Sequence, residues 1–323
     1  MSGEPLVTVA VVPRERFSSA LAALETLYAS TREPFRLIYV DGGSPPRVRR
    51  ALERASRERG FRLLRTPGYL SPNRARNLAL REVTTRYVVF IDNDAFVTPG
   101  WLEALVRCAE TTGAALCAPL TLIGPLEHGN IHVASGECRI LREGGRNVFV
   151  DVHHHSGDRL SQVRASLHRC PTEIVEFHCM LARRETLEKL GPLDEGLSSL
   201  FEHCDLSLSV RRAGGALWFE PESVVAYHPA TNLRWSDLRY FNLRWSDPWN
   251  RASLARFQEK WQLDPDSPGI ESALGAARFQ QRLMFRRARH WSHRALGPAG
   301  DPLRRALLRS ERTLRSAVAR LVR

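Results

Sequence analysis

The first 120 residues alternate between short apolar runs and amphipathic segments, and this alternation constrains the fold of the 323-residue chain more than any other feature. Apolar runs of strand length occupy residues 6–12, 35–40, 61–66, 87–91 and 114–120. Segments with helical apolar spacing separate them, at 17–30, 47–59, 73–82 and 100–111. Strands that alternate with helices of this length predict right-handed βαβ units and a mostly parallel sheet with helices on both faces.

The pattern becomes less regular after residue 120. Residues 121–172 contain many glycines, which predicts short antiparallel strands and loops. Further on, we expect strands at 174–183, 216–221 and 223–228, and helices at 184–190 and 201–215. We therefore predict an α/β domain over 1–230 (a ligand-binding half at 1–120 and an acceptor half at 121–230), a helical extension at 231–277 and a basic helical tail at 278–323.

Cysteine usage and hydropathy indicate the compartment. The six cysteines form no CxxC pair and no regular framework, which favours a reducing environment. The N-terminus lacks the basic region of a signal peptide, and no stretch approaches the ~18 apolar residues of a membrane span. We expect a cytoplasmic protein that can lie peripherally on the inner face of the membrane.

The positive charge of the chain is concentrated in the tail. Residues Arg278 to Arg323 include 13 arginines and two acids, so 13 − 2 = +11 of the net charge of +12 lies there. Leucines such as Leu303, Leu307 and Leu314 recur at helical spacing in the same segment. This combination predicts an interfacial helix on an anionic membrane. A flexible, solvated basic tail is the alternative, and nucleic acid is an unlikely partner because no recognition motif accompanies the charge.

Two carboxylates follow the strand at 87–91 directly, in the order Asp92-Asn93-Asp94. In α/β sheets, ligands bind beyond the carboxyl ends of the strands. Hard oxygen ligands suit Mg²⁺ or Mn²⁺ carrying a diphosphate. The alternative is an N-cap or turn cluster, because Asp and Asn also favour those positions.

Two other polar segments lie at comparable points. Asp41-Gly42-Gly43-Ser44 closes the second strand and is typical of a turn. SPNRARN, at 71–77, places Arg74 and Arg76 beside Asn77 near a helix start. Arginine suits bidentate phosphate contacts, although a solvated helix face is the commoner explanation of such a run. The histidines at 153–155 are expected on the surface, with metal binding as the alternative, because neighbours in a strand point to opposite faces.

Taken in order, these segments resemble glycosyltransferase family 2, the inverting nucleotide-sugar enzymes of the GT-A fold. The resemblance covers about Val7 to His228 and depends on the order DGGS, PNRARN, YVVFIDNDAFVTPGW, CMLARRETLEKLGPLDEGL and FEHCDLSLSVRRAGG. It implies that Asp41 contacts the nucleotide base and that Asp92 holds the ribose or the metal. It further implies that Asp94 ligates the cation on the diphosphate, with His228 as a further ligand. The donor region is expected to contact Arg74, Arg76 and Asn77.

The sequence departs from the family pattern at two places. Where the family commonly has a Pro-Thr-Tyr-Asn-like stretch, residues 12–16 are VPRER, so the nucleotide base is left open. Where the family usually has Glu-Asp with Asp as general base, this chain has Glu202-His203, followed by Asp205. Histidine suits proton removal near neutrality, so His203 is the expected base and Asp205 the alternative. Two residues of helix separate them by ~200°, so they should face nearly opposite ways.

The resemblance implies an activity and its partners. The expected enzyme moves a sugar from a nucleotide-sugar donor to a hydroxyl of a glycan, polysaccharide or lipid-linked acceptor, with inversion and with Mn²⁺ or Mg²⁺ as cofactor. The alternative is a non-catalytic GT-A-like protein that binds nucleotide sugars or membranes. A nucleotidyltransferase is disfavoured because no Gly-rich phosphate loop follows the first strand.

Overall fold

The computed structural model describes residues 4–124, 129–227, 233–283 and 286–321. Within these ranges the strands are β1 (Val7–Val12), β2 (Phe35–Gly42), β3 (Arg62–Thr66), β4 (Tyr87–Asp92), β5 (Ala95–Val97), β6 (Leu116–Ile123), β7 (Asn130–Val133), β8 (Gly136–Glu143), β9 (Arg146–His153), β10 (Cys170–Thr172), β11 (Cys179–Arg183) and β12 (Leu217–Tyr227). The helices are α1 (Ala20–Ser30), α2 (Pro46–Arg59), α3 (Pro72–Leu80), α4 (Trp101–Thr112), α5 (Leu160–Val163), α6 (Arg184–Leu190), α7 (Glu202–Arg212), α8 (Leu238–Arg244), α9 (Asp247–Trp261), α10 (Pro268–Gln281), α11 (Arg286–Leu296) and α12 (Asp301–Leu321). None of these helices combines the length and apolarity needed to cross a membrane.

The predicted α/β architecture is confirmed. The central sheet has the order β10-β12-β6-β11-β4-β1-β2-β3, and its first-half strands β3, β2, β1 and β4 are all parallel. Every residue of β1 and β4 is buried, as expected for parallel strands covered on both faces. Helices α1, α2 and α4 pack on one face of the sheet, and α3, α6 and α7 pack on the other.

The second half of the sheet differs from the prediction in two details. The strand expected at 174–183 begins only at Cys179, and it runs antiparallel between β4 and β6. Residues 216–228, expected as two strands, instead contribute the single strand β12, which has an irregularity between Glu220 and Val224. That irregularity absorbs Pro221, which has no N–H to contribute to the sheet.

The extension beyond residue 232 shares a hydrophobic core with the acceptor half. Phe201 of the loop before α7 stacks on Phe257 of α9 at 4.6 Å between ring centroids, and Phe149 of β9 packs edge-on against both rings. Trp245 and Trp261 are buried in the same cluster. Phe201 holds a left-handed backbone (φ 65°) that bulky residues rarely adopt. Its aromatic contacts therefore stabilise a strained entry into α7.

Candidate active site

The carboxylates after β4 lie beside the turn that follows β1. The Asn93 N–H donates to the carbonyl oxygen of Val12 at 2.9 Å. The Asn93 side-chain Oδ1 accepts the backbone N–H of Arg14, also at 2.9 Å. Asn93 thus ties the VPRER segment to the end of β4. This connection brings Arg14 and Glu15 to the two aspartates.

Asp92 is buried among basic side chains. Its Oδ2 lies 3.5 Å from Nε of Arg14 and 3.0 Å from Nδ1 of His178, and its Oδ1 lies 3.8 Å from Nη2 of Arg76. Burial opposes ionisation, but Arg14, His178 and Arg76 together hold the pKa of Asp92 below its usual range. Asp92 is therefore a charged carboxylate, and neighbouring basic side chains offset its charge.

Asp94 is buried without equivalent compensation. Burial, with Asp92 and Glu15 nearby, raises the pKa of the Asp94 carboxyl well above its usual range. Its Oδ1 accepts no hydrogen bond from any residue that the structure describes. An unsatisfied carboxylate oxygen beside a second carboxylate fits a hard divalent cation, because oxygen ligands and negative charge are what Mg²⁺ and Mn²⁺ require. Asp92 and Asp94 therefore fit the metal pair that the sequence predicted.

Arg76 and Arg244 extend the positive charge around the aspartates. The guanidinium of Arg76 lies 3.5 Å above the ring of Phe177, and burial lowers the pKa of Arg76 to about 10. Arg244, at the end of α8, is fully buried, with Nη1 3.4 Å from Oε1 of Glu202 and Nε 3.9 Å from Oε1 of Glu15. Arg244 therefore joins the C-terminal extension to the site.

Asp41 lies at the carboxyl end of β2 with both oxygens engaged. Its Oδ1 accepts a hydrogen bond from the backbone N–H of Ser44 at 2.9 Å, and its Oδ2 accepts one from Nε of Arg65 at 3.2 Å. Gly43 has φ 75°, and a Cβ there would lie 3.1 Å from the Gly68 carbonyl carbon. The DGGS turn therefore needs glycine to close against the loop after β3. Asp41 is held at the same sheet edge as Asp92.

The structure does not bring Arg74 and Asn77 into this group, in contrast to the sequence expectation. The Arg74 side chain is 63% exposed and pairs with Glu195 at 3.3 Å. Asn77 exchanges two 2.9 Å hydrogen bonds with the backbone of Leu193 and donates to Glu195. Both residues fasten α3 to the loop after α6. Of the three donor-binding candidates on α3, only Arg76 faces the aspartates.

His228, the expected further metal ligand, lies outside the described residues. The last described residue of β12 is Tyr227, whose ring stacks on that of His178 with centroids 4.2 Å apart. Because His178 also contacts Asp92, the end of β12 lies next to the carboxylates.

A second group surrounds Glu176 and was largely missed from the sequence. Although burial disfavours a charged carboxylate, four histidines together hold the pKa of Glu176 far below its usual range: His203, His178, His153 and His132. The surface expectation for the histidine run holds for His154, which is exposed, and for His155, which is partly exposed, but is wrong for His153, which turns inward. Burial, followed by the neighbouring His178, lowers the pKa of His132 to about 3.

The three candidates at the start of α7 face different partners, and the opposite directions of His203 and Asp205 agree with their helical spacing. His203 places Nε2 3.3 Å from Oε1 of Glu176. Asp205 accepts a hydrogen bond from Nζ of Lys260 at 2.8 Å and another from the indole N–H of Trp261 at 2.9 Å, so both of its carboxylate oxygens are hydrogen-bonded. Burial opposes the charge of Glu202, but arginines led by Arg244 lower its pKa. Of the three, His203 is the one placed to exchange a proton.

Sequence reasoning missed Arg14, Glu15, Glu176, His178 and Arg244 as site residues. The sequence carries a signal for Arg14 and Glu15. They belong to the VPRER segment, which directly follows the first strand, and that strand must end at the edge of the sheet where ligands bind. Glu176 and His178 lie inside an apolar run whose pattern predicts a strand. Arg244 belongs to a repeated NLRWSD segment whose pattern carries no information about its distant partners.

Comparison with known proteins identifies the family of the chain. The family model described as glycosyl transferase family 2 matches residues 8–191. The pre-mycofactocin glycosyltransferase of Mycobacterium tuberculosis (strain CDC 1551 / Oshkosh) is 28% identical over 228 residues, covering 71% of this chain and 44% of that protein. The succinoglycan biosynthesis protein ExoM of Rhizobium meliloti (strain 1021) is 26% identical over 254 residues, covering 77% of this chain and 69% of that protein. The chain thus spans less than half the length of the first of these relatives.

A solved structure supports the fold assignment. The mannosyltransferase PcManGT from Pyrobaculum calidifontis, solved with GDP-Man and Mn²⁺, has a TM-score of 0.52 at 17% identity, covering 98% of this chain and 86% of that one. The predicted GT-A fold is confirmed. The family match ends at residue 191, before α7 begins, so the roles of the α7 residues depend on their geometry.

The contacts of Asp205 predict a structural role. Asp205→Asn should lower the free energy of unfolding by about 1–3 kcal/mol, because it removes the charge that accepts from Lys260 and places an amide against that ammonium. Urea denaturation measures the change. The matched control, Glu188→Gln, removes a 57% exposed partner of Arg184 and should cost at most about 0.5 kcal/mol. Equal stability of the two variants would contradict the assignment.

Proposed function

This chain belongs to glycosyl transferase family 2, and we propose that it transfers a sugar from a nucleoside diphosphate donor to a hydroxyl acceptor with inversion. The observation that carries the proposal is the buried pair Asp92 and Asp94 at the carboxyl end of β4, inside the matched region. The GDP-Man and Mn²⁺ in the structure of similar fold support the donor class and the cofactor.

We propose that Asp94 and Asp92 hold Mn²⁺ or Mg²⁺, with His228 as a further ligand. The bound cation would offset the charge that develops on the departing diphosphate. Arg14 and Arg76, beside Asp92, would add positive charge on the same side. Asp41, held by Arg65 and the Ser44 N–H, would contact the nucleotide base.

We assign His203 as the base that removes the proton from the acceptor hydroxyl. A carboxylate beside an imidazole stabilises the imidazolium that forms when the ring accepts a proton, and Glu176 lies 3.3 Å from Nε2. The hydroxyl oxygen attacks the anomeric carbon as the bond to the diphosphate breaks on the opposite face. Glu202 is a poor base because its arginine neighbours lower its pKa. Asp205 is engaged by Lys260 and Trp261.

A third proposal is that the tail holds the enzyme on an anionic membrane, where a lipid-linked or surface glycan acceptor would be found. Several of the exposed large apolar side chains lie on or just before the tail helices: Phe279, Trp291, Leu296 and Leu303. Trp291 is 63% exposed and lies in the arginine-rich helix α11. Exposed apolar residues beside clustered arginines are typical of an interfacial helix.

The donor site predicts metal-dependent nucleotide binding. Asp94→Asn should abolish the Mn²⁺-dependent part of the affinity for UDP, GDP or dTDP, because it removes the charge that holds the cation. Calorimetry with and without Mn²⁺ measures this. Asp158→Asn, which changes a 48% exposed carboxylate, is the control and should bind as the parent does. Undiminished Mn²⁺-dependent binding by Asp94→Asn would show that the metal assignment is wrong.

The base assignment predicts a loss of rate without a loss of donor affinity. His203→Gln should lower the transfer rate about 10²–10⁴-fold while nucleotide binding persists. Asp205→Asn should keep its rate per folded molecule. The reverse result would move the base to Asp205. If neither substitution changes turnover, the non-catalytic alternative gains support.

The tail predicts charge-dependent membrane binding. Replacing the exposed Arg294, Arg305 and Arg309 by glutamine should weaken sedimentation with phosphatidylserine-containing vesicles roughly 100-fold, since each arginine near the surface contributes ~1 kcal/mol. The control replaces the exposed Arg50, Arg54 and Arg57 of α2, so that the same charge is lost elsewhere. If both triple variants sediment alike, the tail is not a membrane anchor.

A further inference from the structure

The group around Glu176 contains a set of metal ligands that is chemically unlike the aspartate pair. His153 ends β9, Glu176 lies in the loop before β11, and His203 lies in the first turn of α7. One ligand atom from each of the three lies within 4.8 Å of the other two. Their side chains are only 13–22% exposed, so they are shielded from water yet reachable by an ion. Donor atoms from three separate elements of the fold therefore meet at one point.

The spacing suits a small tetrahedral ion. Zinc bonds of about 2.0–2.1 Å to nitrogen and oxygen place two ligands of a tetrahedron roughly 3.3 Å apart. Nε2 of His203 and Oε1 of Glu176 are separated by 3.3 Å. The same three-residue set of two imidazoles and one carboxylate leaves a coordination position open for water.

A partner outside the triad supports one of the ligands. Oδ1 of Asp151 is buried and lies 3.2 Å from Nε2 of His153. A carboxylate beside a ligating histidine orients the ring and raises its basicity.

The donor set also separates this group from Asp92 and Asp94 by metal preference. Imidazole nitrogen favours zinc and its first-row neighbours, whereas Mg²⁺ prefers oxygen ligands throughout. Mg²⁺ should therefore bind the aspartates and leave the histidines free.

We propose that His153, Glu176 and His203 form a second metal site, selective for Zn²⁺ or a similar transition metal ion, and that its occupation inhibits sugar transfer. The inhibition rests on the proposed function. A metal ion bound to His203 occupies the nitrogen lone pair that would otherwise accept the proton of the acceptor hydroxyl. Donor binding at the aspartates continues when this second site is filled.

The histidine run offers a matched pair of variants for the test. Full-length protein, stripped of metal, is titrated with Zn²⁺ by calorimetry and with Co²⁺ by visible absorption, which reports tetrahedral ligation. We expect one tight site in the parent, in His154→Gln and in Asp94→Asn. His153→Gln should lose more than about 100-fold in affinity, because it removes a ligand itself and not a residue that only orients a ligand.

Two results overturn the site. Equal zinc affinity of His153→Gln and His154→Gln excludes the triad, and loss of the site in Asp94→Asn places the ion at the aspartates instead. Asp151→Asn, which keeps all three ligands, is the second variant in case His153→Gln does not fold. It should weaken zinc binding about 10–100-fold.

Inhibition is tested separately so that the two proposals fail independently. In saturating Mg²⁺, micromolar Zn²⁺ should stop transfer by the parent and by His154→Gln but not by His153→Gln, with nucleotide affinity unchanged in all three. Zinc that binds the triad without slowing transfer refutes both the inhibition and the assignment of His203 as base. The metal site itself would then stand on the binding data alone.

Discussion

Repulsion between the carboxylates buried at the end of β4 is the interaction on which the rest of the site depends. Two charges 4 Å apart at an effective dielectric of about 20 repel by roughly 4 kcal/mol. The protein offsets this repulsion differently for its two aspartates. Asp92 keeps its charge because Arg14, Arg76 and His178 surround it. For Asp94, burial, followed by the nearby Asp92 and Glu15, raises the pKa well above its usual range. The site therefore has one compensated carboxylate and one that a cation would satisfy.

The compensating charges come from distant parts of the chain, and this explains the architecture. Arg14 follows β1, Arg76 lies on α3, and Arg244 ends α8. Arg244 contacts both Glu15 and Glu202, while the indole of the next residue, Trp245, donates to Glu15 at 3.1 Å. Without Arg244, two buried carboxylates would lose a cation, at a cost of several kcal/mol for each uncompensated charge. The helical extension therefore completes the charge balance of a site whose aspartates lie more than a hundred residues earlier.

The sequence predicted those features that depend on local periodicity. Strand ends follow from apolar runs, so the position of Asp92 and Asp94 at a ligand edge was predictable. Helical spacing correctly separated His203 from Asp205. Arg74 and Arg76 are also two residues apart, yet both were expected at the donor, and only Arg76 faces inward. The choice depends on the packing of Ala75 and Ala79 against the sheet, which is tertiary. Residues 174–178 have a strand-like pattern, yet Val175 donates its N–H to Ser207 Oγ and not to a neighbouring strand.

The two halves of the site differ in chemistry, and the proposed inverting transfer would need two separate kinds of group. The leaving diphosphate accumulates negative charge and needs cations, whereas the attacking hydroxyl must lose a proton on the opposite face of the sugar. A single cluster of like groups would serve only one of these needs. Here oxygen ligands gather at Asp92 and Asp94, and imidazoles gather at Glu176. His178 contacts Asp92 at 3.0 Å and is among the histidines around Glu176, so the two environments touch without sharing a ligand set. Proximity with distinct donor atoms allows one protein to hold a hard cation on one side and keep a proton acceptor free on the other.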